Sequence, residues 1–270
     1  MLKRLPITLA SLFIIHYSLF ISLAFAQDFN FTQANNDYLY NYNLYRTAHT
    51  EYLTAKQQYL AYKTLTAKET AQEKTLKMFQ ARDQALRTYL IALRTKLKET
   101  AGVSVYEKNI VSLRLNNEIT FYESNRSRLS SAGSIPDLVK ISEEAQERYQ
   151  ETEIVAYQTL GTILAGKENT LLEKIQTQID QLEEKIAQVR QEGMIETSLL
   201  ERWLLEARNR LTWSKEKQYT AQSLLANLKT REQNKAKVYH DAQLNFIESH
   251  QYLKEASSYL LEIIREVGVD

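Results

Sequence analysis

Residues that stop helices are so scarce in this chain that their positions divide it. It has no cysteine, two prolines and six glycines in 270 residues, and beyond residue 26 the only proline is Pro136. Gly102, Gly133 and Gly193 then stand as the stops, at very unequal intervals. A chain that meets so few breakers can be little other than helix. The spacing predicts four helices. The first runs from a cap near Asn30 to Gly102, about 70 residues, well beyond an ordinary globular helix. The second, about 27 residues, opens at a Ser104–Glu107 capping box and closes before Gly133. Ser134-Ile135-Pro136-Asp137 starts the third, which reaches Gly193 if Gly161 and Gly166 are tolerated inside it. The fourth begins near Ser198, boxed with Glu201, and continues to about Val267.

Apolar spacing agrees with that division. Leu172, Ile175, Ile179, Leu182, Ile186 and Val189 alternate steps of three and four, as do Leu200, Leu204, Ala207 and Leu211 in the fourth helix and Leu86, Leu90, Leu93 and Leu97 in the first. This is a coiled-coil seam. Short turns make successive helices antiparallel. The fold class predicted is therefore all-α, an elongated antiparallel coiled-coil bundle of four unequal helices with a reach of roughly 150 Å. Residues 161–228 are expected to project from it as a two-stranded hairpin. Gly161 and Gly166 read either as a joint or as places where another helix packs closely against a missing side chain.

The same geometry leaves the first part of the first helix without a partner in its own chain. Phe31, Tyr38, Tyr45, Tyr52 and Tyr59 recur there every seven residues, accompanied by Tyr62, and Tyr40 and Tyr42 widen the aromatic surface. Such a stripe must be covered. Tyrosine suits an interface because it joins apolar area to a hydroxyl that need not be dried. The stripe thus reads as a contact with itself or with another envelope protein. Two alternatives remain: packing on the carboxy-terminal helix through a different stagger, and carbohydrate binding, for which a helix surface offers no concave pocket.

Residues 1–26 carry Lys3 and Arg4, an uncharged stretch from Leu5 and a closing Ala24-Phe25-Ala26. This fits a secretory signal peptide; uncleaved, the stretch is long enough to act as a membrane anchor. Either way residues 27–270 are expected outside the cytoplasm, periplasmic, surface-bound or secreted, with membrane contact only through the amino-terminal segment. Net charge is +1, which offers nucleic acid no attraction.

Chemistry is hard to place on such a chain. His49, His240 and His250 are too scattered for a ligand cluster, no cysteine can supply a thiolate, and no phosphate loop or nucleophile elbow occurs. The expectation is a non-enzyme with no cofactor and no metal. Asp83 is a polar residue on the seam, between Phe79 and Leu86. Buried, it needs a partner, and residues 117–126 and 245–250 come to its level; the simpler reading turns it to solvent beside Arg82 and Arg87. Asn30-Phe-Thr32 and Asn125-Arg-Ser127 match the glycosylation pattern, a match that is common by chance.

A leader followed by long antiparallel helices resembles coiled-coil components of cell envelopes, periplasmic chaperones and efflux adaptors among them, in architecture alone. Neither an adaptor's β-rich domains nor a tentacled chaperone's oligomerising sheet is legible here. The function expected is that of an exported structural or scaffold protein of the cell envelope or surface, acting through coiled-coil self-association or partner binding. The alternative is an extracytoplasmic client-binding or chaperone-like helical module.

Overall fold

A computed structural model describes residues 29–193 and 196–267 of the chain, so the leader lies outside the described residues. Among them are six α-helices and no strand: α1 (Phe29–Tyr62), α2 (Leu65–Glu99), α3 (Val105–Ser130), α4 (Ile135–Glu192), α5 (Ser198–Ala226) and α6 (Lys235–Val267). The two inner helices follow the sequence closely. Ser134 Oγ donates to Asp137 Oδ2 at 2.6 Å and accepts the Asp137 N–H at 3.4 Å, capping α4. The turns at Gly102 and Gly193 take φ of 71° and 67°, open to glycine without steric cost.

Both outer helices, in contrast, are broken where no glycine or proline stands, and four expected helices become six. Lys63 adopts φ 51°, its N–H donating to Tyr59 O at 3.0 Å, and Thr64 Oγ1 then caps α2 by accepting the Ala67 N–H at 3.2 Å. A left-handed lysine costs about 1–2 kcal/mol. The second break covers residues 227–234. Asn227 ends α5 by donating from both its backbone N–H (3.1 Å) and its side-chain Nδ2 (2.9 Å) to Ser223 O. Continuing the seam past Leu228 would place Glu232 and Lys235 in core positions, so straight propagation gains nothing there.

The helices form two compact units: one of α1, α2, α3 from Tyr106 and α4 up to Ala156, the other of residues 100–105, α4 from Tyr157, α5 and α6. In the first, α2 runs antiparallel to α1. The rings of Tyr38 and Tyr89 lie 5.3 Å apart, Lys74 pairs with Glu51 at 2.8 Å, and Glu99 Oε1 accepts the Phe31 N–H at 3.0 Å. α3 then runs antiparallel to α2, through Gln80–Ser130 at 3.0 Å and Arg87–Glu123 at 3.5 Å. α4 returns along α3 through Arg128–Glu144 and Arg148–Glu118, both 2.6 Å. Tyr52, Met78, Phe79, Leu129 and Leu138 bring all four helices into one core.

The second unit corrects the hairpin expected at 161–228. Leu172, Ile175, Ile179, Leu182 and Ile186 do meet Leu200, Leu204, Ala207 and Leu211, but Leu253, Ala256, Leu260 and Ile263 of α6 join the same core. α6 folds back antiparallel along α5, as Lys217–Glu248 at 2.5 Å and Arg210–Glu255 at 3.2 Å show. Three helices therefore share the seam. Each large aliphatic side chain drawn from water by that third helix contributes about 1.5–3 kcal/mol.

Gly161 and Gly166 both lie within the unbroken α4. A Cβ on Gly161 would collide with Leu225, and one on Gly166 with Val103. Close packing, not a joint, explains both.

Candidate functional site

The tyrosine stripe finds its partner inside the chain, and that partner is α2. Tyr38 (2% exposed) and Tyr52 (7%) are buried; Phe31, Tyr42, Tyr45 and Tyr59 are half-buried. Tyr62, at the turn, and Tyr40, off the heptad line, stand out at 73% and 65%. Lys96 Nζ lies 4.6 Å over the Phe31 ring, and Tyr45 packs on the shared core. Burial pushes the Tyr38 and Tyr45 hydroxyls above the ordinary phenol range, with Tyr42 adding at both. Neither an uncovered stripe nor packing on the carboxy-terminal helix describes this arrangement. The covering became available because the break at Lys63–Thr64 folds α2 back over α1.

What α1 leaves outside is a second line, one position round from the stripe. Leu39, Leu53 and Leu60 are exposed large apolar residues. With Arg46 they fill one heptad position, each following a stripe tyrosine by one residue. Tyr42 and His49 lie half-buried beside the line, and burial lowers the His49 pKa. Sequence reading passed over these leucines because the tyrosines beside them had already been assigned the outer surface.

Asp83 is completely buried, not turned to solvent. Its Oδ2 accepts from Asn125 Nδ2 at 2.6 Å and its Oδ1 from Arg82 Nε at 2.9 Å. Arg82, itself buried, donates from Nη1 to Ser142 Oγ at 2.9 Å and lies 5.0 Å over the Phe79 ring. Residues from α2, α3 and α4 are thereby tied into one register, a recognised use of buried polar groups. Asn125 falls within the stretch expected at this level, whereas His250 pairs elsewhere. Burial and the bond to Asp83 also close Asn125 to glycosylation in the folded chain.

A further polar cluster in the second unit was not anticipated. Glu168 Oε1 meets His250 Nδ1 at 3.2 Å, its Oε2 accepts from Ser249 Oγ at 3.2 Å, and Ser249 shares a hydrogen bond of 2.9 Å with Ser214. Burial raises the Glu168 pKa, opposed by His250 and the Ser249 hydrogen bond. Both serines are fully buried, and Ser249 faces a carboxylate instead of the imidazole. The geometry joins α4, α5 and α6 and presents no nucleophile to a substrate.

Among the described residues no group of His, Asp or Glu is placed to hold a metal ion, and no helix is long and apolar enough to cross a membrane. No family model matches the chain, and neither a curated protein nor a solved structure matches it.

Proposed function

We propose that the chain is an exported, non-enzymatic scaffold protein of the cell envelope or surface, built as an elongated coiled-coil assembly, and that a second copy of itself is its partner through α1. The observation that carries this reading is the heptad line Leu39, Leu53 and Leu60, exposed beside a seam that is already filled. A helix with one face packed and an adjacent apolar line left over can enter a further coiled coil without disturbing the first. Arg46 in the same line supplies a polar position, which fixes register at some loss of affinity. Extracytoplasmic placement is supported by the leader sequence. The scaffold's working surfaces are helix faces.

Light scattering after size-exclusion chromatography tests this directly. The chain is expected to form a concentration-dependent dimer or higher oligomer, and the double variant Leu53→Glu/Leu60→Glu to remain monomeric with unchanged helicity. A monomer at every concentration up to near-millimolar removes the self-association reading. Stable capture of an unfolded client by that monomer would favour a chaperone-like module instead.

A further inference from the structure

Elsewhere among the described residues, cations meet carboxylates closely. Lys74 pairs with Glu51 at 2.8 Å, Arg128 with Glu144 and Arg148 with Glu118 at 2.6 Å, and Lys217 with Glu248 at 2.5 Å. The flank along which α2 meets α3 is different. Arg126 donates from Nη1 to the side-chain oxygen of Gln84 at 2.5 Å, Arg94 from Nη1 to that of Asn116, and Lys108 from Nζ to the backbone oxygen of Lys98 at 3.0 Å. Lys98 itself is exposed. A carboxylate arrives at Arg87, whose Nη2 stands 3.5 Å from Glu123 Oε1, on a side chain 61% exposed.

Amides and carbonyls satisfy hydrogen bonds but cancel no charge. Arg87, Arg94, Lys98, Lys108 and Arg126 thus share Glu123, on a chain whose total balance is only +1. From the level of Gln84 to that of Lys98 they line about 20 Å of α2 at 1.5 Å per residue. Their hydrogen bonding is also incomplete. Arg87 Nε, Arg126 Nε and Ser112 Oγ are buried without a partner, and all three lie on this flank, Ser112 one turn from both Lys108 and Asn116. Buried polar groups are normally satisfied; here the bundle holds the arginines without using all their donors.

We propose that this flank of α2 and α3 binds a linear chain of phosphate groups. Arg87, Arg94 and Arg126 supply planar forks that match phosphate oxygens in pairs. Cations spread along about 20 Å suit successive charges of one polymer better than a single small anion. A protein partner would bury an apolar centre, whereas Gln84, Ser112 and Asn116 set amides and a hydroxyl among the cations. The self-association line lies on α1, which meets α2 through Lys74, Tyr89 and Glu99. The two proposals therefore stand or fall separately.

Full-length protein is titrated into fluorescently labelled inorganic polyphosphate and followed by anisotropy at low salt. Arg94→Gln/Lys98→Gln is the flank variant. Lys229→Gln/Arg231→Gln, in the exposed connection between α5 and α6, removes the same charge elsewhere. Polyphosphate is expected to bind with an affinity that falls steeply as salt is raised. The flank variant should weaken it about tenfold with unchanged helicity, Lys98→Gln alone about threefold, and the loop variant less than about twofold. No binding, an equal loss in the flank and loop variants, or orthophosphate competing as well per phosphate as the polymer would each overturn the proposal. So would equally tight binding of polyglutamate of the same length, which would assign the flank to carboxylates.

Discussion

The α1–α2 and α5–α6 hairpins each replace one long helix with two, by opposite means. The first turns over Lys63 and Thr64, accepting a left-handed lysine; the second spends residues 227–234 on an unstrained connection. Their interiors differ in the same sense. Tyrosines cover one another in the first unit, around an aspartate held by Arg82 and Asn125. The second pairs one tyrosine stack, Tyr157 on Tyr239 at 4.6 Å, with a longer repetitive seam of leucine, isoleucine and alanine, and its Glu168 cluster reaches the surface at the half-buried His250. Directional bonds define one partner for each group and tolerate a tight turn; an aliphatic seam accepts many neighbours and leaves the choice to the connection.

The largest effect should come from breaking the directional core. Asp83→Ala leaves a buried guanidinium and a buried amide without their acceptor, and should cost about 3–5 kcal/mol in denaturant unfolding. A loss below about 1 kcal/mol would mean that the polar core does not distinguish the first unit. On the other side of the comparison, Ile179→Ala, in the middle of the aliphatic seam, should cost about 2–4 kcal/mol through lost burial and an unfilled cavity. A much smaller loss would show that the seam closes over the gap.

Glu168 gives a smaller and pH-dependent effect. Its folded pKa is raised above the ordinary 4.5, with burial the largest cause, so the folded chain binds this proton more tightly than the unfolded one. Stability from this group is therefore present at low pH and lost as the pH rises from about 4.5 through the folded pKa. Glu168→Gln should flatten that decline in a series of melting temperatures. An unchanged pH profile would remove the carboxylate from the account. Smallest and opposite in sign, Lys63→Gly should stabilise by about 0.5–1 kcal/mol, relief of the left-handed lysine outweighing the added freedom of the unfolded chain.

Much of this was legible. The inner helices announce themselves through Ser134, Asp137 and the glycine turns, and the seam of α4 with α5 is plain in its steps of three and four. The break at Lys63–Thr64 was not, because lysine carries no preference for the left-handed region; only the packing of Tyr38 and Tyr52 on α2 selects it. At residues 227–234 a signal was present: Glu232 and Lys235 occupy seam positions, and Asn227 and Asn234 flank the interval. Of the two stretches that could reach Asp83, the one containing Asn125 does so, while the simpler expectation of a solvent-facing aspartate fails because Arg82 folds inward, which residue type does not announce. Glu168 escaped notice because Ser249 and His250 reach it only after α6 has folded back.

The fold-back itself decides where the working surfaces lie, and a distance between two spin labels tests it most directly. With cysteines introduced at Glu51 and Lys74, whose side chains meet at 2.8 Å, the hairpin predicts a short separation limited by the labels' own reach. A separation near 35 Å, about what one continuous helix gives across those residues at 1.5 Å each, would contradict it.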